Sequence, residues 1–487
     1  MQPSTMEVDD DFATKSAAFL SWLQASGATL SEKIELADLR HQNSGRGVVA
    51  KTDIESDEEL FSIPRVLLLN TKNSDLATQH PDILKTVEGQ PWLELIFTLL
   101  YENGKSDSKW RPYLNILPAQ DQFDTLMYWD ESELKELEAS AVVYKIGKDS
   151  ADKTFREYIW PKVQAQPSLF GFYDNVHEEE VLQAAHRMGT LIMAYAFDIE
   201  SEREREIDEE GYVSEEEEED MPKAMVPLAD MLNADADRNN ARLFYESDAL
   251  VMKAIKPIAS GEEIFNDYGP LPRSDLLRRY GYITDNYAQY DVTEIPSIMI
   301  VDVSKDQLKL DDAEVEQRTS LLELFDEATE EGYDIMRPGI EDDTLGIFPP
   351  SLKLLIALLV LPRSSLPPTV KPSKIEKLVA RNEFPRSWYQ VLLHVLEARL
   401  NQFPSSLEED RQHLDVYKQR LQGGKWLTNQ KETRRRFMAL NVRVGEQEIL
   451  QHAISVIKQR LKQEEAGEKR KADGPTSGSS TPKKTRR

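Results

Sequence analysis

The chain of 487 residues contains no cysteine. Disulfides, thiolate zinc sites and a thiol nucleophile are therefore excluded. Its seven histidines (His41, His80, His177, His186, His394, His413 and His452) show no ligand spacing, so no metal centre is expected. Long apolar runs are also missing. The longest, Leu354 to Leu361, falls far short of the roughly 18–20 residues that span a bilayer. The first residues, MQPSTMEVDDDF, are acidic and have no apolar h-region, so a secretory signal is not expected. The expectation is a soluble intracellular protein without a membrane partner. No G-x-G-x-x-G follows a strand-like run, which removes the usual dinucleotide-type route to an adenosine ligand. Positive charge is outnumbered, 59 Lys and Arg against 87 Asp and Glu: the net charge of −28 argues against specific nucleic-acid binding and suits a basic protein partner.

What is present is a globular composition with 16 Phe, 17 Tyr and 7 Trp, enough to build more than one core. The organisation expected is an acidic leader over 1–11, a strand-rich module over 12–290, a helical domain over 300–465 and a disordered basic tail over 466–487. In the leader-proximal part, Phe12, Phe19, Leu20 and Leu23 fall at helical spacing and Gly27 stops the helix. Two short strand-like runs follow, Val48–Lys51 after the Gly45-Arg46-Gly47 turn and Glu59–Ile63 before Pro64. They read as a small antiparallel unit. A helical insert over about 91–225 shows Trp92, Leu95, Ile96, Leu99 and Leu100, then Leu182, Ala185, Met188, Leu191, Ile192 and Tyr195, at helical spacing. Within it, residues 200–220 hold thirteen acidic residues against two arginines, the composition of a disordered loop. Strand patterns return at Ala241–Tyr245 and Leu250–Ile255, spaced as a hairpin, and at Glu263–Phe265. Farther on, Trp388, Val391, Leu392, Val395 and Leu396 share one helix face, as do Leu450, Ile454, Ile457 and Leu461. A strand-rich module split by helices and followed by a helical domain is an α+β arrangement.

The chemistry concentrates in residues 225–282. Asp230 and Asn233 interrupt the apolar run Val226–Leu232, so they either cap a turn or bond to backbone or ligand. Asn266-Asp267-Tyr268-Gly269 follows a strand, and Tyr280-Gly281-Tyr282 comes a helix-length later. Single tyrosines usually serve a core; the grouping with two glycine turns points to a site.

Taken in order, Gly45-Arg46-Gly47, Asp230-Met231-Leu232-Asn233 and Gly261-Glu262-Glu263-Ile264 through Asp267-Tyr268-Gly269 resemble the three motifs of SET-domain protein-lysine methyltransferases. The long helical insert between the first two resembles the Rubisco large-subunit methyltransferase class. So do Trp110-Arg111-Pro112-Tyr113 and Trp426-Leu427-Thr428-Asn429. The resemblance implies a SET-domain β-fold with a large helical insert and an all-α C-terminal substrate-binding domain, with S-adenosylmethionine as methyl donor. It implies Tyr268 as the catalytic residue. Gly45, Arg46, Gly47, Tyr195, Asn233, Ala234 and Tyr280 would hold the cofactor, with the glycines letting backbone approach it. Trp110 and Asp198, with Tyr268, would line the substrate side. One departure stands out: the family has His after Asn, and this chain has Ala234, as in the fungal ribosomal branch. That branch implies a large-subunit ribosomal protein as substrate. A nuclear regulator or histone substrate, or a noncatalytic peptide-binding SET scaffold, are the competing expectations. Lys469-Arg470-Lys471 and Lys483–Arg487 read as a bipartite signal for a nuclear-import receptor and place the protein in the nucleus.

Overall fold

The computed structural model describes residues 11–40, 44–199, 221–325, 330–339, 344–365, 372–422 and 430–472. The acidic leader, the 200–220 run, the Trp426–Asn429 motif and the end of the basic tail lie outside the described residues. Two compact units divide the chain. One comprises Met1–Asp130 and Tyr144–Tyr287, the other Glu131–Val143 and Ala288–Arg487.

In the first unit, helix α1 (Phe12–Ala25) buries Phe19 and Leu23, and Gly27 ends the turn with φ 100°. Three antiparallel sheets follow. The largest is ordered β1 (Thr29–Leu30), β4 (Glu59–Pro64), β8 (Ala249–Ala254), β7 (Ala241–Tyr245). A second holds β2 (Ile34–Asp38), β3 (Arg46–Ala50) and β9 (Glu263–Ile264), and a third pairs β5 (Ala196–Asp198) with β6 (Lys223–Met225). The β7–β8 hairpin is where the alternation placed it, with Tyr245 opposite Leu250. The antiparallel unit expected from β3 and β4 does not form. β3 pairs with β2 and β9, whereas β4 pairs with β1 and β8. Sequence proximity favoured joining neighbours, but each strand has an apolar side to bury and finds a better partner far along the chain.

The insert contributes α2 (Pro91–Gly104), the single turn α3 (Arg111–Leu114) and α4 (Glu178–Tyr195). Leu95, Phe97 and Leu99 of α2 and Leu182, Ala185 and Leu191 of α4 enter one core with Phe19, Phe61 and Ile264. Burying a side chain of this size stabilises by about 1.5–3 kcal/mol. The insert is thus an integral layer of the unit, and it delivers Tyr195 at the C-terminal end of α4.

Among the described residues the second unit is helical apart from one strand pair, β10 (Val292–Pro296) with β11 (Gly332–Met336), which corrects the all-α expectation. Its core gathers Trp388, Val391, Leu392, Val395 and Leu396 of α5 (Arg386–Leu400), with Ile449, Leu450 and Ile457 of the final helix, α7 (Gln430–Ala472). That helix runs a turn or two past residue 466, where the tail was expected to begin. Residues 131–143 leave the insert to join this unit. Glu133 meets Arg435, Glu136 meets Arg443 at 3.0 Å, and the Ser140 hydroxyl donates to Glu446. Between α6 (Leu407–Gln422) and α7, the fully buried Asp410 accepts from Arg443 Nε at 3.0 Å and from Gln447 at 2.7 Å. Among the described residues no helix is long and apolar enough to cross a membrane.

Candidate active site

After β6 the chain makes a tight 3-10 turn, Ala229–Met231, entered through Leu228 at φ 76°. A leucine in the left-handed region is strained, and such strain persists only where the surroundings over-determine it. Here the turn buries Asp230. The Tyr113 hydroxyl donates to Asp230 Oδ2, and burial pushes the Asp230 carboxyl up to about 8, against the lowering effect of that bond. Asp230 is thus a buried carboxyl bonded to Tyr113, with its ionised form disfavoured by burial.

Three residues on, the Asn233 carbonyl accepts from the Asn266 N–H at 2.9 Å, and the Asp235 N–H donates to the Asn266 carbonyl at 3.2 Å. Ala234 and Asn266 thereby form a parallel bridge. This crossing brings two motifs together that lie more than thirty residues apart. The Tyr268 hydroxyl, just past the bridge, donates to the Leu232 carbonyl at 3.3 Å. Its ring stacks on Tyr280 with centroids 4.3 Å apart, and Tyr280 meets Tyr282 edge-on at 6.3 Å. Tyr195 and Tyr287 lie close enough to act electrostatically on the Tyr268 hydroxyl. Burial pushes Tyr268 and Tyr282 well above the ordinary phenol value and Tyr195 up to about 12. These hydroxyls are neutral at physiological pH. None can serve as a phenolate base; each offers a dipole and a ring face, the chemistry that receives a cation.

The first motif meets this cluster through its main chain. Gly45 turns at φ +66° and its carbonyl accepts from the Leu39 N–H at 2.8 Å. The Arg46 side chain turns away: Nε donates to Ser16 Oγ, Nη1 to the Ile116 carbonyl, and the guanidinium lies 4.0 Å over the Phe12 ring. Its carbonyl accepts from Asn233 Nδ2 at 3.3 Å. Gly47 also makes room for two side chains. A Cβ there would lie 2.8 Å from Glu263 Oε1 and 3.1 Å from Asn233 Nδ2.

Two expected residues stand apart. Trp110 is 1% exposed, with its indole N–H donated to the Leu67 carbonyl at 2.8 Å, so it is a core residue and offers no surface to a substrate. Asp198 pairs across β5–β6 with Lys223 at 2.7 Å. Residues the sequence reading left unassigned are Tyr113, Tyr282, Tyr287 and Glu263. Tyr282 was in view beside Tyr280, and Tyr113 sat in the Arg-Pro-Tyr signature; nothing local marks Glu263 off from Glu262. An open cleft of about 520 Å³ is lined by Leu39, Val49, Arg238, Lys256 and Glu263 among others, and by none of the five tyrosines.

Residues 45–269 match the SET domain family, and residues 352–450 match the Rubisco LSMT substrate-binding family. Ribosomal lysine N-methyltransferase 4 of Saccharomyces cerevisiae is 33% identical over 72% of this chain and 72% of its own length. The chain belongs to the SET-domain protein-lysine methyltransferases. Within that family, ribosomal lysine N-methyltransferase 4 of Schizosaccharomyces pombe is 27% identical over 80% of this chain and 88% of its own. N-lysine methyltransferase SETD6 of Homo sapiens is 30% identical, and the chain spans 59% of its length. The solved structure of the SET domain of LSMT bound to lysine and AdoHcy superposes with TM-score 0.66 at 20% identity, over 96% of this chain and 97% of that one. That likeness establishes the SET fold, and the parallel bridge at Ala234–Asn266 is where this family member brings its motifs together.

Proposed function

We propose that the chain is a protein-lysine N-methyltransferase that uses S-adenosylmethionine and acts on a large-subunit ribosomal protein. The observation that carries the reading is the Tyr268–Tyr280 stack, closed onto the Leu232 carbonyl beside Asn233. The residues present fit the cofactor. Neutral hydroxyls and ring faces suit a sulfonium, while the main chain at Arg46 and Ala234 and the amide of Asn233 suit its polar ends. When bound, S-adenosylmethionine supplies an electrophilic methyl group. Tyr195 and Tyr280 flank that position, and Gly45 and Gly47 keep side-chain bulk off the strand beside it. The Tyr268 hydroxyl orients the lysine amine, and the buried surroundings favour its neutral, nucleophilic form. Because Tyr268 stays protonated, it acts by dipole and position and removes no proton.

A ribosomal substrate is supported by the names of the two fungal relatives and by the net charge of −28, which suits a basic protein. The basic clusters at 469–471 and 483–487 are read as an import signal, with nuclear residence as the consequence. Deleting 483–487 should move the protein towards the cytoplasm without altering activity in vitro.

Two measurements test the reading: calorimetric titration with S-adenosylmethionine, then radiolabelled methyl transfer onto ribosomal and histone fractions. Label on a large-subunit protein is expected. Label on histones alone would replace the substrate, and no cofactor binding would leave a recognition module. Tyr268→Phe should lower turnover by about 10²-fold or more with cofactor binding retained.

A further inference from the structure

We infer that Glu263 is a positioning residue: it fixes the amide of Asn233 so that the Oδ1 atom receives the ammonium group at the amino-acid end of the cofactor. The inference rests on the methyl-donor reading above and adds to it a residue that acts through another.

The geometry begins with the two acceptors around Asn233 Nδ2. Glu263 Oε1 lies 2.6 Å away and the Arg46 carbonyl 3.3 Å away. A carboxylate and a carbonyl are both acceptors, so only the NH2 edge of the amide can face them. With both amide protons committed, planarity turns Oδ1 away from Glu263 and Arg46, leaving it as the polar atom Asn233 can offer a ligand. An amide oxygen accepts and cannot donate. The donor available at the amino-acid end of S-adenosylmethionine is its ammonium group; the carboxylate there is an acceptor and would be repelled by Glu263. Without Glu263 the amide could rotate by half a turn and present its NH2 edge, which would face the ammonium with the wrong polarity.

Independent features show that the Asn233–Glu263 contact is built into the fold. Gly47 leaves the space that both side chains occupy, since a Cβ would meet Glu263 Oε1 at 2.8 Å and Asn233 Nδ2 at 3.1 Å. The Glu263 main chain is held from the opposite direction. Its carbonyl accepts from Asn240 Nδ2 at 2.9 Å, and the strand residue pairs with Val49. The Asn233 main chain is fixed by the Asn266 N–H. Both partners are therefore anchored through their backbones, and the side-chain contact between them sets the amide.

The test is calorimetry on the full chain with two unreactive ligands, S-adenosylhomocysteine, which carries the amino-acid end, and 5′-methylthioadenosine, which lacks it. Glu263→Leu should weaken S-adenosylhomocysteine about tenfold to a hundredfold, the range for a hydrogen bond to a charged group, and leave 5′-methylthioadenosine within about twofold. Glu263→Gln keeps an acceptor oxygen and should stay within about threefold of the parent for both. Equal weakening of both ligands by Glu263→Leu would indicate a collapsed pocket and overturn the inference, as would unchanged binding of S-adenosylhomocysteine. A parent protein that binds neither ligand would overturn the methyl-donor reading and this inference with it. Parent binding with an unaffected Glu263→Leu overturns the inference alone.

Discussion

Replacing Glu446 by glutamine should change how stability varies with pH more than it changes stability itself. Glu446 lies on α7, 5% exposed; one oxygen accepts from Ser140, and the other has no hydrogen bond. Burial pushes its carboxyl from 4.5 up to about 7, with Asp291 and Asp334 raising it further and Ser140 and Arg399 opposing. In the unfolded chain the group loses its proton near 4.5; in the fold it keeps it until about 7. Stability is therefore highest below the lower value and falls as pH rises through this window, because the unfolded state ionises first. At about 1.36 kcal/mol per pKa unit, the full loss is about 3 kcal/mol once pH exceeds 7. A glutamine cannot ionise. Any fixed penalty for its NH2 group is independent of pH, so the quantity to follow is the difference in unfolding free energy between variant and parent. Urea unfolding by intrinsic fluorescence at intervals from pH 5 to pH 8 should show that difference growing in favour of Glu446→Gln by about 2.5 kcal/mol, the first part of the loss falling below pH 5. A difference constant to within about 0.5 kcal/mol across the range would refute the buried, protonated state argued for Glu446.

Gly47→Ala should weaken S-adenosylhomocysteine binding by tenfold or more in calorimetry and cost about 1–3 kcal/mol of stability, since the new Cβ meets Leu39 Cδ1 at 2.4 Å besides displacing the Asn233–Glu263 pair. Trp110→Phe should lower stability by about 1–3 kcal/mol in thermal or urea unfolding, by stranding the buried Leu67 carbonyl. Its KM for the protein substrate should not move; a raised KM with unchanged stability would restore Trp110 to the substrate side.

The order of elements was legible wherever a local pattern reported on burial. The helical spacing of apolar positions in Trp388–Leu396 and the alternation across Ala241–Ala254 are each set by one face of one element. Strand partnership was not legible in the same way. β3 and β4 are neighbours in sequence, but their hydrogen-bonding edges are claimed by β9 and β8, some two hundred residues on. In the site, Asn233 stood out because it interrupted an apolar run, and Tyr268, Tyr280 and Tyr282 because they grouped with two glycine turns. The burial of Trp110 could not be read, because a tryptophan beside a signature looks the same whether its indole N–H finds a backbone carbonyl, as it does at Leu67, or a substrate. Glu263 was invisible as a separate role: Glu262 precedes β9 and Glu263 opens it, and a two-residue strand gives no periodicity to tell them apart.

The passage of residues 131–143 into the second unit bears on how the protein can be taken apart. The polypeptide crosses between units after residues 130, 143 and 287, so no single cut separates them. A fragment beginning at residue 288 would carry Arg435, Arg443 and Glu446 on α7 without Glu133, Glu136 and Ser140; Arg443 would keep Asp410, but the three contacts to 131–143 would be lost and the buried groups that make them uncovered. The complementary N-terminal fragment would keep those three residues with nothing to hold them. Domain dissection should therefore retain 131–143 with the helical half, by fusion or co-expression, and a nick within that stretch should loosen the second unit although it lies far from it in sequence.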